Sequence, residues 1–240
     1  MTARRWTLAE KIVHRGVRSP MLRGAWVGLL RACFGMQILG AAQVPRDRAV
    51  IFAGNHASHY DGLFSITLGW MLQQRVPTAV AWSGIHSFPI TQQMVSTRAI
   101  DFIVAEEGDM STKKAAGLLA AMIDTLDAGR SVVLHAEGHR RDALDEFMPG
   151  AAVAALMARA PIIPFTLRGV HGLWRELPWP DRWHGKVSAI FHPRLEPADY
   201  AHMPLREAAP AMTAELRRRV ASAIDYPDAL AQRPARTSST

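Results

Sequence analysis

The sequence predicts an α/β fold: a central mixed, largely parallel sheet flanked by helices, preceded by an N-terminal amphipathic helical pair. Three observations predict it. Short apolar, β-favouring runs recur after Pro45. Stretches of helical length separate several of them. The first run stops at Gly54-Asn55 and is followed at once by polar, titratable side chains, as happens where a buried strand delivers groups into a site at its carboxyl end. A chain of 240 residues, 49% of them apolar, is long enough to bury a sizeable core.

The elements follow in chain order. Residues 4–18 fit a two-faced helix, with Trp6, Ala9, Val13 and Val17 on one side and Arg4, Lys11, Arg15 and Arg18 on the other. Ser19-Pro20 breaks it, because proline suits the first turn of a new helix and not an interior. Residues 21–42 are apolar and helix-compatible, with Arg31 in their middle. A central arginine costs roughly 2.5–3.5 kcal/mol on membrane-insertion scales, so this segment reads as a helix lying on or dipping into a bilayer. Core packing and a full span are its alternatives. Strands are predicted at 49–53, 78–82, 100–104, 131–136, 162–167 and 187–192, and helices at 61–74, 111–128, 151–160 and 205–224. Ser111 suits an N-cap and Gly129 a stop. There is no internal repeat.

Charge and cysteine content narrow the function classes. The net charge is 28 − 21 = +7, and residues 1–31 hold seven basic side chains against Glu10 alone. The remainder is close to neutral, which speaks against a nucleic-acid partner and for an N-terminus that adheres to anionic lipid. A single Cys33 permits no internal disulfide, so a reducing, cytoplasmic setting is the default. No segment has the form of a cleavable signal.

Three polar constellations sit at strand ends. In the first, Asn55-His56-Ala-Ser-His59-Tyr-Asp61, a turn between His56 and Asp61 brings imidazole and carboxylate within hydrogen-bonding reach. A His so held has a fixed tautomer and a stabilised imidazolium, which is the recipe for a general base. Asp61 also suits the cap of the following helix. His56, His59 and Asp61 form a metal-type triplet, but at a spacing unlike the common zinc patterns. The second, His135-Ala-Glu137-Gly138-His139-Arg140-Arg-Asp142, places a glycine for close backbone approach beside a guanidinium fork for phosphate or carboxylate. The alternative there is a salt-bridged turn. The third, Pro161 to Gly169, is an apolar strand shaped by Pro161 and Pro164 and forms the wall of a pocket.

In this order the three resemble the phospholipid/glycerol acyltransferase family, which includes bacterial 1-acylglycerol-3-phosphate (lysophosphatidate) O-acyltransferases. Asn55, His56 and Asp61 match its first block; Glu137, Gly138 and Arg140 match part of its Pro-Glu-Gly-Thr-Arg block; Pro164 stands in the place of its strand proline. The likeness covers about residues 45–170. It implies a membrane-associated O-acyltransferase that moves a fatty acyl group from acyl-CoA or acyl-carrier protein to a hydroxyl of a lysophospholipid or other glycerolipid. In that scheme His56 is the general base and Asp61 orients it. Asn55, Glu137, Gly138, His139 and Arg140 bind substrate, with backbone amides near the Glu137-Gly138 turn holding the oxyanion. No cofactor and no metal are implied. The division that follows is a membrane-associating helical stretch at 1–44, an α/β acyltransferase domain at 45–230 and a tail at 231–240. The expected location is the cytoplasmic face of a membrane, peripheral or monotopic.

The sequence departs from the family in ways that concern the acceptor. Where the family carries an arginine after its second-block strand, this chain has Ala105 and Glu106, with Arg98 before the strand. His139 replaces the usual Thr, His135-Ala136 the usual Phe-Pro, and the usual lysine is missing from Phe147-Met-Pro-Gly150. Each lost cationic contact is worth about 1.5–3 kcal/mol as a charged hydrogen bond. The expected acceptor is therefore a lysolipid or hydroxylated lipid other than lysophosphatidate. Two rivals stand beside this assignment. One is a metal-dependent hydrolase using His56, His59 and Asp61 with Glu137; the other is a catalytically inactive lipid-binding module.

Overall fold

The structure is a computed structural model and describes residues 19–58, 61–73, 75–82, 100–105, 112–171 and 186–231. The helix expected over 4–18, Ser111, His59 and all but the first residue of the tail at 231–240 lie outside the described residues. In chain order the elements are α1 (Pro20–Phe34), β1 (Gln37–Leu39), β2 (Ile51–Gly54), α2 (Asp61–Gln73), β3 (Thr78–Trp82), β4 (Phe102–Ala105), α3 (Thr112–Asp127), β5 (Val132–His135), α4 (Gly150–Ala158), β6 (Ile162–Arg168), β7 (Ser188–Phe191) and α5 (Leu205–Ala221). Each apolar run expected to be a strand is one, its ends shifted by two residues at most.

The strands form one sheet in the order β1-β7-β6-β2-β5-β3-β4. Every pairing is parallel except the antiparallel β6–β7 pair. The fold is therefore α/β with a mixed, mostly parallel sheet, as expected. β2 lies at its centre with all four residues buried, which explains its unbroken apolar run. Register then decides where polar groups go. Gly54 pairs with His135 on β5 and with Phe165 on β6. Asn55-His56 therefore emerges beside Ala136-Glu137, at the carboxyl ends of adjacent parallel strands, where open α/β sheets place their sites. Gly54 itself is a packing requirement: a Cβ there would stand 2.5 Å from the Phe165 ring and 2.6 Å from its carbonyl oxygen.

Pro164 sits inside a central strand, where a missing donor is normally a defect. The β6–β7 ladder pairs Phe165 with Phe191, but the next bridge joins Ile162 to Leu195. Two residues of β6 thus face three of the returning chain. Pro164 occupies this bulge, and its carbonyl accepts the amide of His192 at 2.9 Å.

The structure corrects the extent of the second N-terminal helix. The helix expected over 21–42 ends at Phe34, and Gln37–Leu39 is a strand. Gly35, at φ 54°, is the stop, a left-handed position that glycine accepts without strain. The chain then pairs with the edge of β7, so the sheet draws residues from the N-terminal 44. One face of α1 packs on α2: Leu30 is buried, Phe34 meets Phe64 edge-on at 5.2 Å, and Trp26 Nε1 donates to Thr67 Oγ1 at 3.1 Å. The opposite face exposes Met21 and Leu29. Among the described residues, no helix is long and apolar enough to cross a membrane.

Candidate active site

Asp61 opens α2, where the helix N-terminus favours negative charge. Its side chain is fully buried. One carboxylate oxygen, Oδ2, accepts the amides of Ala57 at 2.6 Å and Ser58 at 2.7 Å, so the residue closes the turn that precedes its helix instead of capping the helix. The same oxygen lies 3.1 Å from His56 Nδ1. A carboxylate accepts, so Nδ1 carries the proton and the lone pair of neutral His56 sits on Nε2. His56 is the more open partner, with 22% of its side chain exposed.

Glu137 closes the site from beneath. It is buried, and its two oxygens accept the amides of His56 at 2.7 Å and Asp145 at 3.1 Å. Burial pushes its carboxyl up to about 7, against which the two amide bonds work only in part. Arg141 N donates to the His56 carbonyl at 3.3 Å, so both backbone groups of His56 are held by the loop after β5. Asn55, also fully buried, bonds Leu167 twice: Nδ2 donates to its carbonyl at 3.0 Å and Oδ1 accepts its amide at 2.8 Å. Asn55 and Glu137 thus present their polar atoms to backbone, not to an open cleft.

The other expected binding residues line the turn after Glu137. Gly138 adopts φ 77°, and its amide donates to the His135 carbonyl at 3.1 Å. His139 is exposed and accepts Arg141 Nε at 2.6 Å, while Arg141 Nη1 pairs with Asp145 at 3.2 Å. Arg140 is half-buried and makes no ion pair among the described residues. Ala105 ends β4; Arg98 and Glu106 lie outside the described residues.

Sequence reasoning missed one partner. His135 stacks on His56 with ring centroids 4.5 Å apart and planes 21° from parallel. Its Nδ1 lies 2.6 Å from the Asn55 carbonyl and its Nε2 3.4 Å from Ser65 Oγ. Burial, with His56 next to it, lowers His135 to about 4, so it is neutral at ordinary pH. The sequence marks it only as the residue that closes the apolar run of β5; the register that sets it opposite Gly54 is not local. Tyr226 is also brought in from the far end of the chain, buried and stacked on His171 at 5.2 Å. Burial and the nearby Glu137 raise its phenol well above the usual range. No local pattern marked it.

The metal alternative is tested by the same geometry. Ligand-type atoms of His56, Asp61 and His135 lie within 4.8 Å of one another; His59 is outside the described residues. Two imidazoles stacked nearly face to face direct their in-plane lone pairs side by side, not toward one ion. His135 Nδ1 faces a carbonyl, which fixes a proton on it, and Asp61 Oδ2 already accepts two amides. This donor set suits proton transfer better than coordination.

A family model described as Acyltransferase matches residues 36–168, more than half of the chain and the span that holds both loops. The 1-acyl-sn-glycerol-3-phosphate acyltransferase of Bacillus subtilis (strain 168) is 24% identical, over 78% of this chain and 86% of that protein. The crystal structure of the 1-acyl-sn-glycerophosphate (LPA) acyltransferase PlsC from Thermotoga maritima aligns with a TM-score of 0.60 at 18% identity, covering 93% of this chain and 88% of that one. That likeness concerns the fold. The motif order, the sheet that carries it and the family match together place this chain in the acyltransferase family, as an acyltransferase.

Proposed function

We propose that this protein transfers a fatty acyl group from a thioester, acyl-CoA or acyl-carrier protein, to a hydroxyl of a lysophospholipid or related glycerolipid. One observation carries the proposal: His56 Nδ1 lies 3.1 Å from an Asp61 oxygen that two backbone amides already hold in place. Nε2 takes the acceptor's hydroxyl proton as the oxygen attacks the thioester carbonyl. Asp61 stabilises the imidazolium that forms. As the C–S bond breaks, the imidazolium returns the proton to the departing thiolate. No acyl-enzyme and no metal enter the scheme.

The Gly138 amide already serves the turn, so the next two amides, of His139 and Arg140, are the candidates for the oxyanion. Arg140 supplies the acceptor's anionic group with a cation. With two of the family's usual cationic positions altered, the preferred acceptor is a lysolipid other than lysophosphatidate. The two relatives named for lysophosphatidate chemistry share 24% and 18% of their residues with this chain, which leaves room for a different acceptor. The exposed apolar side of α1, behind the basic first 31 residues, supports docking at an anionic membrane surface on its cytoplasmic face.

The test is thiol release from acyl-CoA with a panel of acceptor lipids, beside His56→Ala and in the presence of a chelator. Release that needs an acceptor, survives chelation and disappears in the variant supports the scheme. Full activity in His56→Ala, or loss on chelation, overturns it. Lysophosphatidate turnover equal to that of the other acceptors overturns the acceptor assignment alone.

A further inference from the structure

We propose that His135 is a positioning residue for His56: its imidazole is the platform that sets the plane of the base. This rests on the assignment of His56 as the base.

Three contacts hold the platform. Nδ1 donates to the Asn55 carbonyl at 2.6 Å, since a carbonyl only accepts. That assigns the lone pair to Nε2, which faces Ser65 Oγ at 3.4 Å. The Phe165 ring stands nearly perpendicular to it, with centroids 6.0 Å apart. Ser65 lies one helical turn beyond Asp61, so α2 holds His56 through its first residue and His135 through its fifth.

Asp61 alone does not fix a ring. One hydrogen bond at Nδ1 sets a distance and leaves the imidazole able to rotate about that contact, swinging Nε2 off the acceptor oxygen. A parallel aromatic face at 4.5 Å removes this freedom. The face must also be uncharged, because a second imidazolium would repel the one formed on His56. Enclosure of His135 keeps it neutral. The neutral face then favours the imidazolium on its neighbour as any aromatic face favours a cation.

Three variants isolate the effect. His135→Phe keeps a planar face and gives up the hydrogen bond to the Asn55 carbonyl and the Ser65 contact. His135→Leu keeps comparable volume without the face, and His135→Ala removes both. The expected result is a kcat loss of about 10–100-fold in the Leu and Ala variants with KM within about threefold, and recovery in the Phe variant to within about threefold of wild type. Melting temperature and circular dichroism are read alongside; if Ala does not fold, the Leu and Phe pair decides. Wild-type kcat in folded Leu or Ala variants overturns the proposal, and so does equal impairment of Leu and Phe. His56→Ala separates the two levels. If it is inactive while the His135 variants are normal, only the platform fails; if it is active, both ideas fall.

Discussion

The backbone amide of His56 donates to Glu137 Oε1 at 2.7 Å, joining groups 81 residues apart in the chain. Through this bond the loop after β5 holds the residue that the loop after β2 presents. Glutamine at 137 offers one acceptor where the carboxylate offers two, so either the His56 or the Asp145 amide meets an NH2 group. A buried amide left unpaired costs about 1–3 kcal/mol. Glu137→Gln should lose stability of that size in denaturant titration and lower kcat more than it raises KM. Unchanged values in both assays would show that the brace does not matter.

Glu137 and His135 act oppositely on the dependence of stability on pH. Glu137 is raised from 4.5 to about 7, so the folded chain holds its proton more tightly than the unfolded chain. Its contribution is present at acid pH and is lost as pH rises through that range. His135 is lowered from 6.5 to about 4, so its contribution is present at neutral pH and is lost as pH falls through that range. Each is worth about 3 kcal/mol, and the opposing slopes overlap between about pH 4.5 and 6.5. Relative to wild type, Glu137→Gln should gain stability steadily as pH rises across the overlap and on to about 7. Parallel pH–stability curves for the two proteins would contradict this.

Asp61→Asn can keep an oxygen facing the Ala57 and Ser58 amides and His56 Nδ1, all of which meet Oδ2, but it removes the negative charge. The imidazolium formed on His56 then loses the charge that stabilises it. By the precedent of other His–carboxylate pairs, kcat should fall about 10²–10⁴-fold with KM little changed, while the thermal midpoint moves only slightly. A kcat within tenfold of wild type would remove Asp61 from the proposed proton path.

Gly54→Ala tests the packing that places the site. The added methyl would lie 2.6 Å from the Phe165 carbonyl oxygen, which is backbone and cannot swing away. Strands β2 and β6 must separate, at a cost of about 1–3 kcal/mol. Activity should fall together with stability, because Asn55, which clamps Leu167 on β6, follows immediately. A variant of wild-type stability would show that the two strands have slack.

Short-range features were legible in the sequence. The strands of the parallel core appeared as apolar runs because both their faces are buried, and the stop at Gly129 appeared because the chain needs φ 72° there. The His56–Asp61 pair was legible for the same reason, since only a turn separates its members and the turn's own amides hold the carboxylate. Strand β1 was not legible. Its three residues show no alternation that marks a strand, and what makes them one is the unpaired edge of β7, about 150 residues further on.

The sequence by itself determined the fold class, the His56–Asp61 contact and the turn that carries Arg140, because each is written in residue types within a few positions of one another. Only the tertiary structure decided that Glu137 braces the His56 loop, that Asn55 ties β2 to β6, and that His135 lies against His56. Those three contacts follow from register: pairing Gly54 with His135 and Phe165 brings together the residues up to two positions beyond. Register between strands far apart in the chain is set by packing over the whole sheet, and no local pattern encodes it.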